Sequence, residues 1–159
     1  LNGSGSGEPT GILSGITWAA GENMVDETIS YDALVGGLAL LPTMYHTNAK
    51  FVMNRKTFFN EVMKIKTSDG MPIFVYNPQD QLGYRILGYP VIVNDFMPDG
   101  KILLGDFSYY YFNFAQAPQI DTSREAAFRS GKLVYRGLAV ADGKPALAEA
   151  FVLIDEPVA

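Results

Sequence analysis

The spacing of apolar residues changes period along the chain. Leu34, Leu38 and Leu41 recur three or four residues apart and share one helical face. Ser30 can cap this helix, Asp32 suits the positive end of its dipole, and Pro42 stops the run. Gly36 and Gly37 sit in its middle at roughly 1 kcal/mol each relative to Ala, which implies close approach of another backbone. The stretch "KFVMN", Lys50 to Asn54, predicts a short buried strand. Asn54 then caps a second helix reaching to about Ile65, with Phe58, Val62 and Ile65 as its buried stripe and Phe59 and Met63 widening it. Arg55 and Lys56 occupy its first turn, where the dipole disfavours cations; they are either solvated or paired with an acidic group elsewhere.

Beyond Ile65 the period becomes two. "TSDGMPIFVY" predicts an Asp69-Gly70 turn and a strand, and "NPQDQLGYR", Asn77 to Arg85, a polar loop. "YPVIVND" predicts a strand beginning at Pro90, where a missing N–H does least harm. Pro98 and Gly100 mark a turn in "MPDG". Strands follow at about 101–105, 109–114 and 118–121. Leu133 to Ala141 and Leu147 to Ile154 predict a long hairpin joined through "DGKP". Two main helices and seven or eight strands give an α+β fold with a mostly antiparallel sheet. Helices first and strands later argue against repeated βαβ units.

The stretch "LLGDFSYYYFNF", Leu103 to Phe114, is aromatic at successive positions. Alternation puts Phe107, Tyr109 and Tyr111 on one face and Tyr110, Phe112 and Phe114 on the other. One face is expected on the domain core. The other is expected to meet a neighbouring subunit, or else this chain's own helix or loop.

A chain of 159 residues suits one domain of ordinary size. Hydrophobic residues make up 48% and charged residues only 18%, below the usual quarter, which leaves a charge-poor surface suited to partners. The net charge of −5 argues against a dedicated nucleic-acid binder. Without cysteine there are no disulfides, thiolate chemistry or zinc–thiolate sites. No apolar run approaches the ~18 residues of a membrane span. The chain begins at Leu1 with no signal-peptide pattern, as a fragment would. By composition, the Gly/Ser-rich residues 1–11 read equally as a flexible linker or as native chain.

Candidate chemistry is sparse. The single histidine, His46, has no acidic partner at a suggestive spacing. Asp95, Asp99 and Asp106 fit turns and strand ends and lack the calcium-loop pattern. No nucleophile elbow, phosphate loop or zinc-protease motif occurs, so no catalytic residue, metal or cofactor is expected. Arg124, Arg129, Lys132 and Arg136 cluster late in the chain. They are solvated, or they meet acidic patches on a neighbouring copy, or they line a surface near nucleic acid; the acidic balance favours the second over the third.

One ordered series of motifs covers essentially the whole chain: "GSGSGEPTGIL", "FVMNRKTFFNEVMKIKTSDGMPIF", "LGYPVIVNDFMP", "ILLGDFSYYY" and "IDTSREAAFRSGKLVYRGLAVADGKPALAEAFVLI". It resembles the major capsid proteins of tailed double-stranded DNA phages, with the Hong Kong 97-like fold. The resemblance implies that the Gly-rich start is native, and that the chain corresponds to the axial domain plus part of the peripheral domain. It implies a Gly-rich opening segment over 1–27, an axial-type domain over 28–120 and the closing strands of a peripheral-type domain over 121–159. The arm, extended loop and spine helix that precede this point in the family are absent from these residues. The implied function is a structural subunit of an icosahedral phage or prophage head, self-assembling into pentamers and hexamers around loosely held DNA. A scaffold or maturation protease would be a further partner. The implied location is the virion capsid, assembled in the bacterial cytoplasm, with no membrane involved.

Matching by position makes Asn77, Gln79, Asp80, Gln81, Tyr84 and Arg85 subunit-interface candidates near a capsomer centre. Tyr109, Tyr110, Tyr111, Arg124, Arg129 and Arg136 are interface candidates elsewhere. The alternatives are a bacterial nanocompartment shell protein of the same fold, or a small-molecule-binding or enzymatic α+β domain.

Overall fold

A computed structural model describes residues 1–66, 70, 71, 74 and 84–157. Its elements in chain order are α1 (Ile12–Gly15), β1 (Met24–Asp26), α2 (Tyr31–Leu40), β2 (Lys50–Met53), α3 (Arg55–Asn60), β3 (Arg85–Ile86), β4 (Tyr89–Val93), β5 (Lys101–Gly105), β6 (Tyr110–Ser123), β7 (Val134–Pro145) and β8 (Phe151–Asp155). Six strands form one sheet in the order β1-β8-β5-β2-β4-β3, and β6 pairs with β7 in a separate ribbon. The ladders β1–β8 and β2–β4 are parallel, and the other four are antiparallel. The fold is α+β with a mostly antiparallel sheet, as the sequence predicts.

Three short apolar runs make the core. In β2, β5 and β8 the residues Phe51–Met53, Ile102–Leu104 and Phe151–Ile154 are all buried, on both faces of the sheet. Such strands read as unbroken apolar runs, because both faces must be covered. On one face α2 lies over β8 and β5, with Gly37 against Ile154 and Leu104. By alternation Leu153 and Met24 point to the other face, where they line a hollow with Leu13 and Trp18 of the opening segment.

The caps form where the side-chain chemistry places them. The Ser30 hydroxyl accepts from the Ala33 N–H at 3.1 Å. The Asn54 side-chain oxygen accepts from the Lys56 N–H at 2.9 Å, while its amide donates to the Met97 carbonyl at 2.8 Å. Helix α3 ends at Asn60, before the expected Ile65, and a 3₁₀ turn over Val62–Lys64 keeps Val62 in the core. The strand expected within 67–76, and the Asp69 half of its turn, lie outside the described residues.

Three expectations are corrected. Residues 133–141 and 147–154 do not form a hairpin. Strand β7 runs on through "DGKP" and pairs with β6, from Ser123↔Val134 to Tyr110↔Pro145. Strand β8 lies between β5 and β1. An apolar run with no polar face needs cover above and below it, and within the six-stranded sheet α2 and the opening segment give β8 that cover. The two strands expected at 109–114 and 118–121 are one strand, with irregularities between Phe114 and Gln116 and between Gln116 and Gln119. Pro118 sits in the second, where its missing N–H breaks no ladder bond. The third correction is at Gly37, where a side chain approaches rather than a backbone. A Cβ there would lie 2.9 Å from Ile154 Cδ1, whereas one at Gly36 would meet nothing nearer than Val25 at 4.0 Å.

Glu61 follows α3 with one carboxylate oxygen, Oε2, buried and without a hydrogen-bond partner among the described residues. Burial pushes its carboxyl above the ordinary 4.5, and the nearby Glu156 and Asp99 carboxylates push the same way against Lys64. A carboxyl raised in the folded state destabilises the fold when ionised. The penalty is complete above the folded pKa and gone below the unfolded one.

Two predictions follow from this packing. Gly36→Ala should stabilise the protein by about 0.5–1 kcal/mol through helix propensity. Gly37→Ala should lose that gain to the clash with buried Ile154, so that denaturant midpoints of the two variants move apart. Glu61→Gln should raise Tm at pH 7, and the difference from wild type should shrink as pH falls toward about 4.5. A constant difference across that range would exclude the buried charge as its cause.

Candidate assembly surfaces

The aromatic stretch does not keep a single alternation. Asp106 accepts from the Ser108 N–H at 2.9 Å and from its hydroxyl at 2.7 Å, which folds Phe107–Tyr109 into a 3₁₀ turn. Burial alone would push the Asp106 carboxyl up. Hydrogen bonds from Ser108 and Asn48 and the nearby Lys50 ammonium outweigh it and hold the carboxyl below its ordinary value. The turn breaks the strand phase. Phe107 then stacks edge-on against Phe151 at 5.6 Å, and Tyr109 against Tyr45 at 5.1 Å. Tyr45 is buried, and its hydroxyl donates to Glu149 at 2.6 Å, which pushes the phenol up to about 12.

From Tyr110 onward the chain leaves the core. Tyr110 is half-buried and donates to the Thr10 carbonyl at 3.0 Å. The Thr10 N–H in turn donates to Gly143 on β7 at 2.8 Å. The opening segment thus clasps the base of the ribbon. That segment is a tight knot: Glu8 accepts from the N–H and hydroxyl of Ser4 at 2.8 and 2.9 Å, and Gly11 donates to Gly3 at 2.7 Å. A side chain at Gly3 or Gly11 would run into the carbonyl of Pro9 or Leu1. These glycines serve close backbone packing.

Beyond Tyr110, which packs on the core, neither face of the ribbon lies on it, which corrects the one-face-in expectation for Tyr111 to Phe114. The register puts Phe112, Phe114, Ile120 and Tyr135 toward one face, and Tyr111, Val134, Leu138 and Val140 toward the other. All eight are exposed, with Ile120 at 79%, Tyr135 at 66% and Tyr111 at 63%. Arg124, Arg129 and Arg136 are the residues beyond Phe114 that the sequence offers as interface candidates; Ile120, Val134, Tyr135, Leu138 and Val140 are not among them. Leu133 to Ala141 reads in the sequence as an apolar strand of a hairpin, and the alternation of "LVYRGLAVA" is the signal for four of the five.

The predicted interface residues scatter. Asn77, Gln79, Asp80 and Gln81 lie outside the described residues. Tyr84 packs on Phe58 at 4.7 Å and Phe59 at 5.9 Å. Arg85 is exposed and donates to the Gly88 carbonyl at 3.3 Å. Of the three tyrosines, Tyr109 and Tyr110 face inward and only Tyr111 stands out. Arg124 and Arg129 lie exposed in the turn that joins β6 and β7. Arg136 faces Asp121 across the ribbon and pairs with it at 2.8 Å.

His46 is satisfied at both ring nitrogens. Nε2 lies 2.9 Å from the Leu41 carbonyl, which can only accept, so Nε2 carries the proton and Nδ1 accepts from the Tyr89 hydroxyl at 2.7 Å. It ties a loop to β4 and has no ring nitrogen left for a substrate. Among the described residues no cluster of His, Cys, Asp and Glu could hold a metal ion. No described helix is long and apolar enough to cross a membrane.

Solved structures share this arrangement. The capsid of a native GTA particle matches with a TM-score of 0.81 and 24% identity, over 99% of this chain and 59% of that one. The capsid of an empty GTA particle matches with a TM-score of 0.77 and 25% identity, over 98% and 59%. The SrpI encapsulin of Synechococcus elongatus PCC 7942 shares the fold at a TM-score of 0.61 and 17% identity, over 92% and 56%. The chain thus spans 59% of the length of either GTA capsid chain. No curated protein matches at a significant level. The model of the phage capsid family covers residues 1–155, ribbon, clasp and sheet together, and the chain belongs to that family.

Proposed function

We propose that the chain is part of a structural subunit of an icosahedral phage or prophage head, which works by symmetric contacts between copies. The observation that carries this is the ribbon. A two-stranded hairpin is marginal in water by itself, and this one carries exposed large apolar side chains on both faces. Its large side chains contribute on the order of 1.5–3 kcal/mol each only when covered. The low charge of the whole chain, 18% of its residues, supports the same reading, since interface cores are depleted of charge. The acidic chain suits a wall from which DNA is later released.

We also propose a division into three parts: the opening segment over 1–27, an axial-type body built on the six-stranded sheet, and a peripheral-type ribbon. Strand β8 belongs with the body, and the ribbon reaches back to Tyr110. Tyr111, Arg124 and Arg129 are the interface residues we retain from the sequence. Tyr110 and Arg136 act within the chain, at Thr10 and Asp121. The subunit assembles in the host cytoplasm and ends in the virion shell.

Electron microscopy of the complete gene product should show closed icosahedral shells. A persistent monomer across salt and protein concentration would overturn the proposal. Tyr111→Ser with Leu138→Ser, both on one ribbon face, should abolish shells while leaving the circular dichroism spectrum unchanged. Normal shells from that double variant would exclude this face as an interface.

A further inference from the structure

Two whole Asp–Gly steps lie among the described residues, and the fold treats them differently. At Asp99–Gly100 the Gly100 N–H donates to Thr57 Oγ1 at 2.9 Å, and the Asp99 carboxylate pairs with Lys56 at 3.1 Å. Amide and carboxylate there turn to different partners. At Asp142–Gly143 they turn to each other: the Gly143 N–H donates to Oδ1 of Asp142 at 2.7 Å.

The ribbon's ladder leaves that amide available for this contact. The Ala146 N–H donates to the Tyr109 carbonyl at 2.9 Å. Bonded and unbonded pairs alternate along an antiparallel ladder, so Tyr111↔Lys144 is a bonded pair, while Tyr110↔Pro145 and Phe112↔Gly143 are unbonded ones. Pro145, which has no N–H, fits its place. Gly143 therefore turns both main-chain groups away from β6, its N–H to Asp142 and its carbonyl to the Thr10 N–H at 2.8 Å. The position also demands glycine. A Cβ there would lie 2.8 Å from the Tyr110 hydroxyl and 3.0 Å from both Phe112 and the Tyr111 carbonyl. The fold thus keeps an Asp–Gly step at the base of the ribbon, with Asp142 open to solvent.

We propose that Asp142 is a site of spontaneous modification, where the Gly143 nitrogen closes on the Asp142 side chain and the step becomes isoaspartate. Glycine permits this because no side chain shields its nitrogen. With the carboxyl protonated, the Gly143 nitrogen bonds to Cγ of Asp142. The bond from Cγ to the hydroxyl breaks, and the hydroxyl leaves as water with the proton from the nitrogen. The product is a cyclic succinimide. Water then opens the ring, so the water lost is regained and no other reactant is used. Opening at Cγ restores aspartate. Opening at the main-chain carbonyl gives isoaspartate, whose backbone runs through Cβ and Cγ. The main chain gains a CH₂ between the pairs Asn113↔Asp142 and Phe112↔Gly143, which disrupts the ladder as a bulge does. The Gly143 carbonyl moves off Thr10, and the clasp on the ribbon opens. The assignment does not depend on the shell reading.

The test ages the complete gene product in mildly acidic buffer and locates isoaspartate by electron-transfer fragmentation of its peptides. Isoaspartate should build up several-fold faster at Asp142 than at Asp99. In denaturant the two steps should react at similar rates. Hydrogen exchange at the Thr10 amide should quicken in the aged protein in proportion to the isoaspartate at Asp142. Asp142→Ser, which has no carboxyl, should form none there and keep Thr10 exchange slow on ageing. Equal or faster reaction at Asp99 in the folded protein would overturn the proposal, as would a preference for Asp142 that persists in denaturant, because the contact would then not set the rate. Isoaspartate at Asp142 with unchanged Thr10 exchange would overturn the opening of the clasp.

Discussion

Strand β8 has to be dry on both faces, and the rest of the architecture follows from that. Phe151–Ile154 is an apolar run with no polar side, and each of its side chains contributes on the order of 1.5–3 kcal/mol when removed from water. It is covered by α2 on one face and by Leu13 and Trp18 of the opening segment on the other. It therefore enters between β1 and β5, under α2, where Gly37 makes room for Ile154. Strand β5, its antiparallel neighbour, is already in place before the ribbon begins. The chain between β5 and β8 is thus an excursion that leaves the core at Tyr110 and returns at Pro145.

That excursion is the β6–β7 ribbon, and little holds it among the described residues. Its base is clasped by the opening knot through Thr10, Gly143 and Tyr110. One exposed ion pair, Arg136–Asp121, crosses it, and such pairs contribute about 0–1 kcal/mol. Ladder hydrogen bonds alone do not stabilise two strands in water. The exposed apolar side chains of the ribbon gain stability when another surface covers them, which is what the shell reading proposed above supplies.

What the sequence shows and hides divides along a physical line. Caps are local chemistry, so Ser30 and Asn54 mark their helices correctly. Short apolar runs identify β2, β5 and β8 because burial on both faces erases alternation. Pairing is not local. Leu133–Ala141 and Leu147–Ile154 are neighbours in sequence and both apolar, yet they end in different sheets. Nothing short of the whole sheet distinguishes a strand that needs two flanks from one that needs a single partner. The tyrosine phase failed for a smaller reason. Asp106 and Ser108 form a side-chain-capped turn, and counting faces through it assumes a strand that is not there. The Gly-rich start shows the limit of composition, since glycine used for flexibility and glycine used for close approach look alike until the neighbouring carbonyls are placed.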